Sequence, residues 1–254
     1  VRCEAGFFGR LHRNSAGILP YVKGFLCDMT ENLQADGVQS RQAGFVRCCL
    51  IYSTKEVISM LLSGKTVVLG VSGSIAAYKI PTLARLLKKQ GCNVQVLMTQ
   101  NATQFINPIT FESLTGNKCL IDTFDRNFQY SVEHVALAKQ ADLVMVAPAS
   151  ANVIGKIAYG IADDMLTTTV MACPCKKMIS PAMNHNMYHN PIVQDNIQKL
   201  ERFGYEMIAP DRGMLANGDD GDGRMPEPEV LFEYILRELA FEKDLAGKKV
   251  LVTA

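Results

Sequence analysis

A six-residue apolar run, Thr66-Val67-Val68-Leu69-Gly70-Val71, stops at a Gly/Ser turn and gives way to an amphipathic stretch over 76–90. No other feature restricts the fold as much. A continuous β-branched run suits a strand buried on both faces, while Ile80, Leu83, Leu86 and Leu87 fall on one side of a helical period. Gly91 closes that helix and 93–99 repeats the strand signal, which completes a βαβ element. Further strands are expected at 118–121, 142–147, 177–180 and 206–209, and helices at 108–114, 134–140, 151–157, 164–172, 191–203 and 228–239. The alternation predicts a three-layer α/β fold with a doubly wound parallel sheet.

Residues 1–59 show no sustained period, and their seven Lys/Arg against five Asp/Glu give them a basic tilt. They are read as an irregular extension, either upstream sequence carried in frame ahead of a natural start at Met60 or a short helical appendage. The main domain is expected over 60–242. The last residues, 243–254, read as the opening of a further, truncated domain, because an apolar run begins there and ends with nothing to pair with. A net charge of +1 and the lack of a basic block argue against nucleic acid, and no apolar run approaches the length that spans a bilayer. The expected compartment is the cytosol. Eight cysteines at irregular spacing, with no Cys-x-x-Cys, read as reduced and mostly buried thiols.

Four segments carry candidate chemistry. After the first strand, Gly73-Ser74-Ile75 offers small residues between a strand and a helix, where backbone N–H groups can meet an anion. It departs from G-x-G-x-x-G, which weakens a dinucleotide reading. Pro148-Ala149-Ser150-Ala151-Asn152 is a second such turn, although capping alone would account for Ser150 and Asn152. Pro181-Ala182-Met183-Asn184-His185-Asn186-Met187-Tyr188 follows a strand, and Asn184 has the donors and acceptor to grip a carboxylate or an amide; a plain turn is the alternative. Segment 213–228, rich in Gly and Asp, reads as a mobile flap in which Arg224 offers a fork for an anion, or else as a solvated loop. His134 opens a helix-like stretch, where its near-neutral titration suits it to handle a proton or hold a carboxylate. The Asp spacing at 219–222 lacks the calcium-loop register, and no metal site is expected.

Taken in order, these segments resemble the flavin-dependent cysteine decarboxylases over about 60–240, most of all the members that act on phosphopantothenoylcysteine in coenzyme A biosynthesis. The resemblance implies a flavodoxin/Rossmann-like FMN-binding domain assembled as a homotrimer or as a dodecamer of trimers. It implies cofactor contacts at Gly73, Ser74, Ile75, Thr99, Ser150, Ala151, Asn152 and Ala182. Substrate contacts would be Asn184, Met187, Ala216, Arg224 and Met225, with His134 as the active-site histidine. The implied chemistry oxidises the thiol-bearing carbon to a thioaldehyde, releases carbon dioxide and then re-reduces the product. Residues 248–254 resemble the start of the phosphopantothenate-cysteine ligase half of bifunctional members, and no ligase activity is expected from so short a piece.

One residue departs from the family pattern. Where the family's clamp carries Leu-Ala-Cys-Gly with a proton-donating cysteine, this chain has Asn217, which cannot be a general acid near neutral pH. Either Asp219, Asp220 or water donates instead, or the product stops at the enethiol, as in relatives that act on peptide C-terminal cysteine. A non-catalytic FMN-binding subunit is a rival reading that His134 and Asn184 oppose. A flavin prenyltransferase is another, opposed by the Pro181 octet, and a nicotinamide oxidoreductase is opposed by the missing glycine fingerprint.

Overall fold

The computed structural model describes residues 61–123, 133–214, 218 and 220–241, with the side chains of Glu133 and His134 left out. The extension at 1–59, Ala216, Asn217, Asp219 and the segment 243–254 therefore lie outside the described residues, and only the backbone of His134 is described.

Five parallel strands form the main sheet: β1 (Thr66–Val71), β2 (Asn93–Met98), β3 (Leu143–Ala149), β4 (Lys176–Pro181) and β5 (Glu206–Met207). They lie in the order β2-β1-β3-β4-β5, so the winding reverses between β1 and β3. Every residue of β1 and of β3 is buried, as expected for strands covered on both faces. Register runs from Thr66 opposite Asn93 to Val71 opposite Met98, which brings the carboxyl ends of β1 and β2 level.

The helices are α1 (Ile80–Lys89), α2 (Pro108–Thr115), α3 (Glu133–Gln140), α4 (Ala151–Ala158), α5 (Met165–Ala172), α6 (His185–Tyr188), α7 (Pro191–Arg202) and α8 (Pro228–Leu239). Ile80, Leu83, Ala84 and Leu87 form the buried stripe of α1. Ser150, Asp164 and Asn190 cap α4, α5 and α7 with side-chain oxygens, as short polar residues do at helix starts. Among the described residues no helix is long and apolar enough to cross a membrane.

Three local expectations change. Residues 75–79 form a 3-10 turn rather than the first turns of a helix over 76–90, because Pro81 has no N–H to close an α-helical bond back to residue 77. The expected strand at 118–121 is a single parallel bridge between Leu97 and Leu120. Leu120 alone makes the ladder bonds, its N–H to the Val96 carbonyl at 3.0 Å and its carbonyl to the Met98 N–H at 2.9 Å, while Asn117 Nδ2 takes the Val94 carbonyl, the next acceptor along β2, at 2.7 Å. The expected flap contains an antiparallel pair, β6 (Asp211–Met214) and β7 (Asp220–Arg224).

Free thiols follow the expected pattern in part. Cys92, Cys119 and Cys173 are buried and Cys175 is half-exposed. Burial pushes the Cys92 thiol up to about 11 and Cys119 up to about 12. The Cys173 thiol donates to Cys175, and with help from Lys177 it brings the Cys175 thiol below the usual range against the opposing effect of burial. Because the thiolate is the nucleophile, Cys175 should alkylate at a lower pH than Cys92 or Cys119 and slow as the pH falls. Iodoacetamide labelling read by peptide mass mapping tests this, and Cys92 or Cys119 reacting before Cys175 at pH 7 would contradict it.

Candidate active site

The loops leaving β1 to β4 share the carboxyl edge of the sheet, and backbone hydrogen bonds join them in series. Thr99 N–H donates to the Val71 carbonyl at 3.0 Å, Ser72 N–H to Pro148 at 3.2 Å, and Ala182 N–H to Ala149 at 3.0 Å. Ser72, fully buried, adds a side-chain link: its Oγ donates to the Pro148 carbonyl at 2.7 Å and accepts the Ser150 N–H at 2.8 Å. This stitch lies between β1 and β3, the switch point where ligands bind in doubly wound sheets.

Hydroxyl groups with hydrogen left to donate surround that point. Ser74 starts the 3-10 turn without making a side-chain cap bond. Thr99 Oγ1 accepts the Ala102 N–H at 3.2 Å, and Ser150 Oγ accepts the Val153 N–H at 3.5 Å. Neither hydroxyl donates to a described partner. Gly73 packs so closely that an added Cβ would stand 2.7 Å from the Asn101 Cβ. Ala151 is half-buried in the first turn of α4 and Asn152 is exposed beside it. Apolar surface adjoins the hydroxyls: Ile75 is 53% exposed and Tyr78 63%, both large side chains that a globular core would ordinarily take. Hydroxyl donors at helix starts beside bare apolar surface suit a ligand with a phosphate at one end and a flat ring at the other.

The Pro181 octet contains the one-turn helix α6. Asn184 caps it, its Oδ1 accepting the Asn186 N–H at 2.9 Å. That commitment orients the amide and leaves the Nδ2 donors as the end able to meet a carboxylate. Ala182 is buried and Met187 is exposed.

The β6–β7 hairpin docks on this octet. Asp211 pairs with Arg224 but Arg212 pairs with Asp222, so Gly223 is an extra, bulged residue with φ +130°. The bulge turns the Gly223 carbonyl to accept the Met183 N–H at 3.1 Å. Asp222 N–H donates to His185 Nδ1 at 3.1 Å, and its Oδ2 lies 2.9 Å from His189 Nε2. A second anchor follows the hairpin. Buried Lys79 donates to Glu227 Oε1 at 2.8 Å and to the Met225 carbonyl at 3.2 Å, while Arg224 Nη2 meets the same Glu227 oxygen at 2.6 Å. The Lys79 and Arg224 cations hold the Glu227 carboxyl below the usual carboxylate range. Of the expected substrate contacts, Arg224 therefore already has one carboxylate partner, and Met225 is buried.

His134 lies in the first turn of α3, which leads to the amino end of β3, so topology puts that turn toward the carboxyl edge. Sequence reasoning passed over Ser72, Lys79, Glu227, His185, His189 and Asp222. The four-residue spacing of His185 and His189 was the one available signal.

A doubly wound α/β sheet with anion-ready turns at its switch point is the layout of a nucleotide- or flavin-binding protein. The chain belongs to the flavoprotein family, whose model, described as Flavoprotein, matches residues 58–240. It is 45% identical over 196 residues to the coenzyme A biosynthesis bifunctional protein CoaBC of Bacillus subtilis, covering 76% of this chain and 48% of that one. The chain thus spans about half the length of the bifunctional relatives it matches. A probable phosphopantothenoylcysteine decarboxylase of Streptococcus mutans is 44% identical over 177 residues, covering 69% of this chain and 99% of that one. Among solved structures, the FMN-dependent cysteine decarboxylase SpaF superposes with a TM-score of 0.59 at 32% identity, covering 68% of this chain and 97% of that one.

Proposed function

We propose that residues 60–242 form an FMN-dependent decarboxylase domain that converts 4'-phosphopantothenoyl-L-cysteine to 4'-phosphopantetheine and carbon dioxide in coenzyme A biosynthesis. The observation that carries this reading is Asn184, whose carbonyl is spent on capping α6 while its amide donors stay available on the ligand-bearing edge. The likeness to a decarboxylase almost fully covered by this chain supports the substrate assignment. The hydroxyls of Ser74, Thr99 and Ser150, with the backbone of Gly73, Ile75, Ala151 and Asn152, hold the FMN phosphate end, and Ala182 lies near the ring. Bound FMN supplies a two-electron oxidation of the thiol-bearing carbon, which gives the departing carboxylate's electrons somewhere to go, and returns the pair afterwards. The chain's own residues position the reaction. Asn184 Nδ2 donates to the substrate carboxylate, and His134, on the same edge, exchanges the proton at the substrate sulfur. The β6–β7 hairpin, with Met187, Ala216, Arg224 and Met225 near the substrate, limits water access. We also assign the domain to the cytoplasm and to a homotrimer or a dodecamer of trimers.

Asn217 makes the final protonation the open chemical choice, so the product must be identified directly. The full chain, purified with FMN, is incubated with phosphopantothenoylcysteine and the product is weighed by mass spectrometry. Phosphopantetheine is the expected product, with water, Asp219 or Asp220 donating the proton. An enethiol two hydrogens lighter would restrict the activity to oxidative decarboxylation. Unchanged substrate with flavin bound would defeat the decarboxylase reading, and a colourless protein that takes up no FMN would defeat the cofactor as well.

A further inference from the structure

We propose that His185, His189 and Asp222 form a binding site for a divalent cation of the zinc type, which ties the Asn184 helix to the β6–β7 hairpin. One ligand atom from each residue lies within 4.8 Å of the other two. His185 opens α6 and His189 caps its end, one helical turn on: the His189 N–H donates to the His185 carbonyl at 3.0 Å, so both imidazoles lie on one side of that turn. Their ring centroids are 4.4 Å apart. Asp222 arrives from β7, 33 residues beyond His189, with its Oδ2 2.9 Å from His189 Nε2.

Two imidazole nitrogens and one carboxylate oxygen match the three-ligand set that zinc accepts with water in the remaining position, at ligand distances of about 2.0–2.2 Å. Calcium and magnesium prefer shells made of oxygen, so this donor set disfavours them. The site is open enough to load from solvent, since the His189 side chain is 48% exposed and that of Asp222 37%. Coordination exchanges two hydrogen bonds. The cation displaces the hydrogen shared by His189 Nε2 and Asp222 Oδ2, which moves to Nδ1, so that neutral His189 ligates through Nε2 and no proton is left over. The His185 Nδ1 lone pair leaves the Asp222 amide, 3.1 Å away, for the metal. No metal was expected from the sequence, and an ordinary His–Asp contact would hold the hairpin without any affinity for a cation.

The inference does not depend on the flavin assignment, because its readouts do not use turnover. The full chain as purified is titrated with Zn2+ by calorimetry and with Co2+ by visible absorption. About one equivalent should bind, with cobalt d–d bands and no thiolate-to-cobalt charge transfer. His189→Asn and Asp222→Asn should each weaken binding at least tenfold. The two substitutions sit on different elements, so loss in both cannot be laid to one misfolded hairpin, and unchanged circular dichroism confirms the fold. No binding by the full chain, a cobalt spectrum of thiolate type, or equal affinity in both variants would overturn the site.

Discussion

Asn184→Asp is expected to lower kcat/KM for phosphopantothenoylcysteine about a hundredfold or more across most of the expected range, with the fold left intact. The substitution keeps the oxygen that accepts the Asn186 N–H at 2.9 Å, so the cap on α6 survives. What changes is the other end of the side chain, where amide donors become a second acceptor carrying negative charge. A hydrogen bond to a charged partner contributes roughly 1.5–3 kcal/mol. Two like charges about 4 Å apart add a repulsion of about 1–4 kcal/mol, depending on how much solvent reaches them. The low ends already sum to about 2.5 kcal/mol, and mid-range values exceed the roughly 2.7 kcal/mol that a hundredfold loss requires. Flavin absorbance and melting temperature should stay close to those of the parent, because Asn184 takes no part in the Ser72 stitch. Steady-state kinetics decide the matter: an unchanged kcat/KM in Asn184→Asp would remove Asn184 from the carboxylate site.

Gly223→Ala should have the largest structural effect of any single methyl addition near the site. At φ +130° an alanine is strained, and its Cβ would overlap the Met183 carbonyl oxygen. Backbone strain of this kind costs of order 1–3 kcal/mol, and moving away from Met183 also breaks the 3.1 Å bond to the Gly223 carbonyl, worth about 1 kcal/mol. The penalty falls on a two-stranded pair that forms a sheet of its own, so it should appear as local opening rather than global unfolding. Amide exchange across β6 and β7 is expected to speed by at least tenfold while β1 to β4 keep their protection. FMN should remain bound, since the switch-point turns are untouched, and kcat/KM should fall with the hairpin's hold on the octet. Unaltered exchange at Asp222 and Arg224 would show that the bulge tolerates a side chain.

Periodic features were legible in the chain because they depend on neighbours a few residues apart. The buried runs of β1 and β3, the apolar stripe of α1 and the cap at Ser150 are all short-range signals. Where local signals conflict, the reading slipped. Pro81 splits the expected helix into a 3-10 turn and α1, and at 118–121 the Asn117 side chain takes the Val94 carbonyl that would extend the ladder. The hairpin was missed because β6 and β7, built largely of Gly and Asp with Arg and a single Met, lack the apolar alternation that marks a strand.

By itself the sequence determined the winding of the sheet, the edge on which its loops gather, and the turns and asparagine that lie there. Tertiary structure alone decided how those loops are held. Ser72 reaches Ser150 across 78 residues and Lys79 reaches Glu227 across 148, distances over which no spacing rule operates. It also brought Asp222 to His185 and His189 at the two ends of α6, and Gly223 to the Met183 amide. Strand and helix periods are written into consecutive residues, whereas a contact between loops depends on where the packed core has carried each of them.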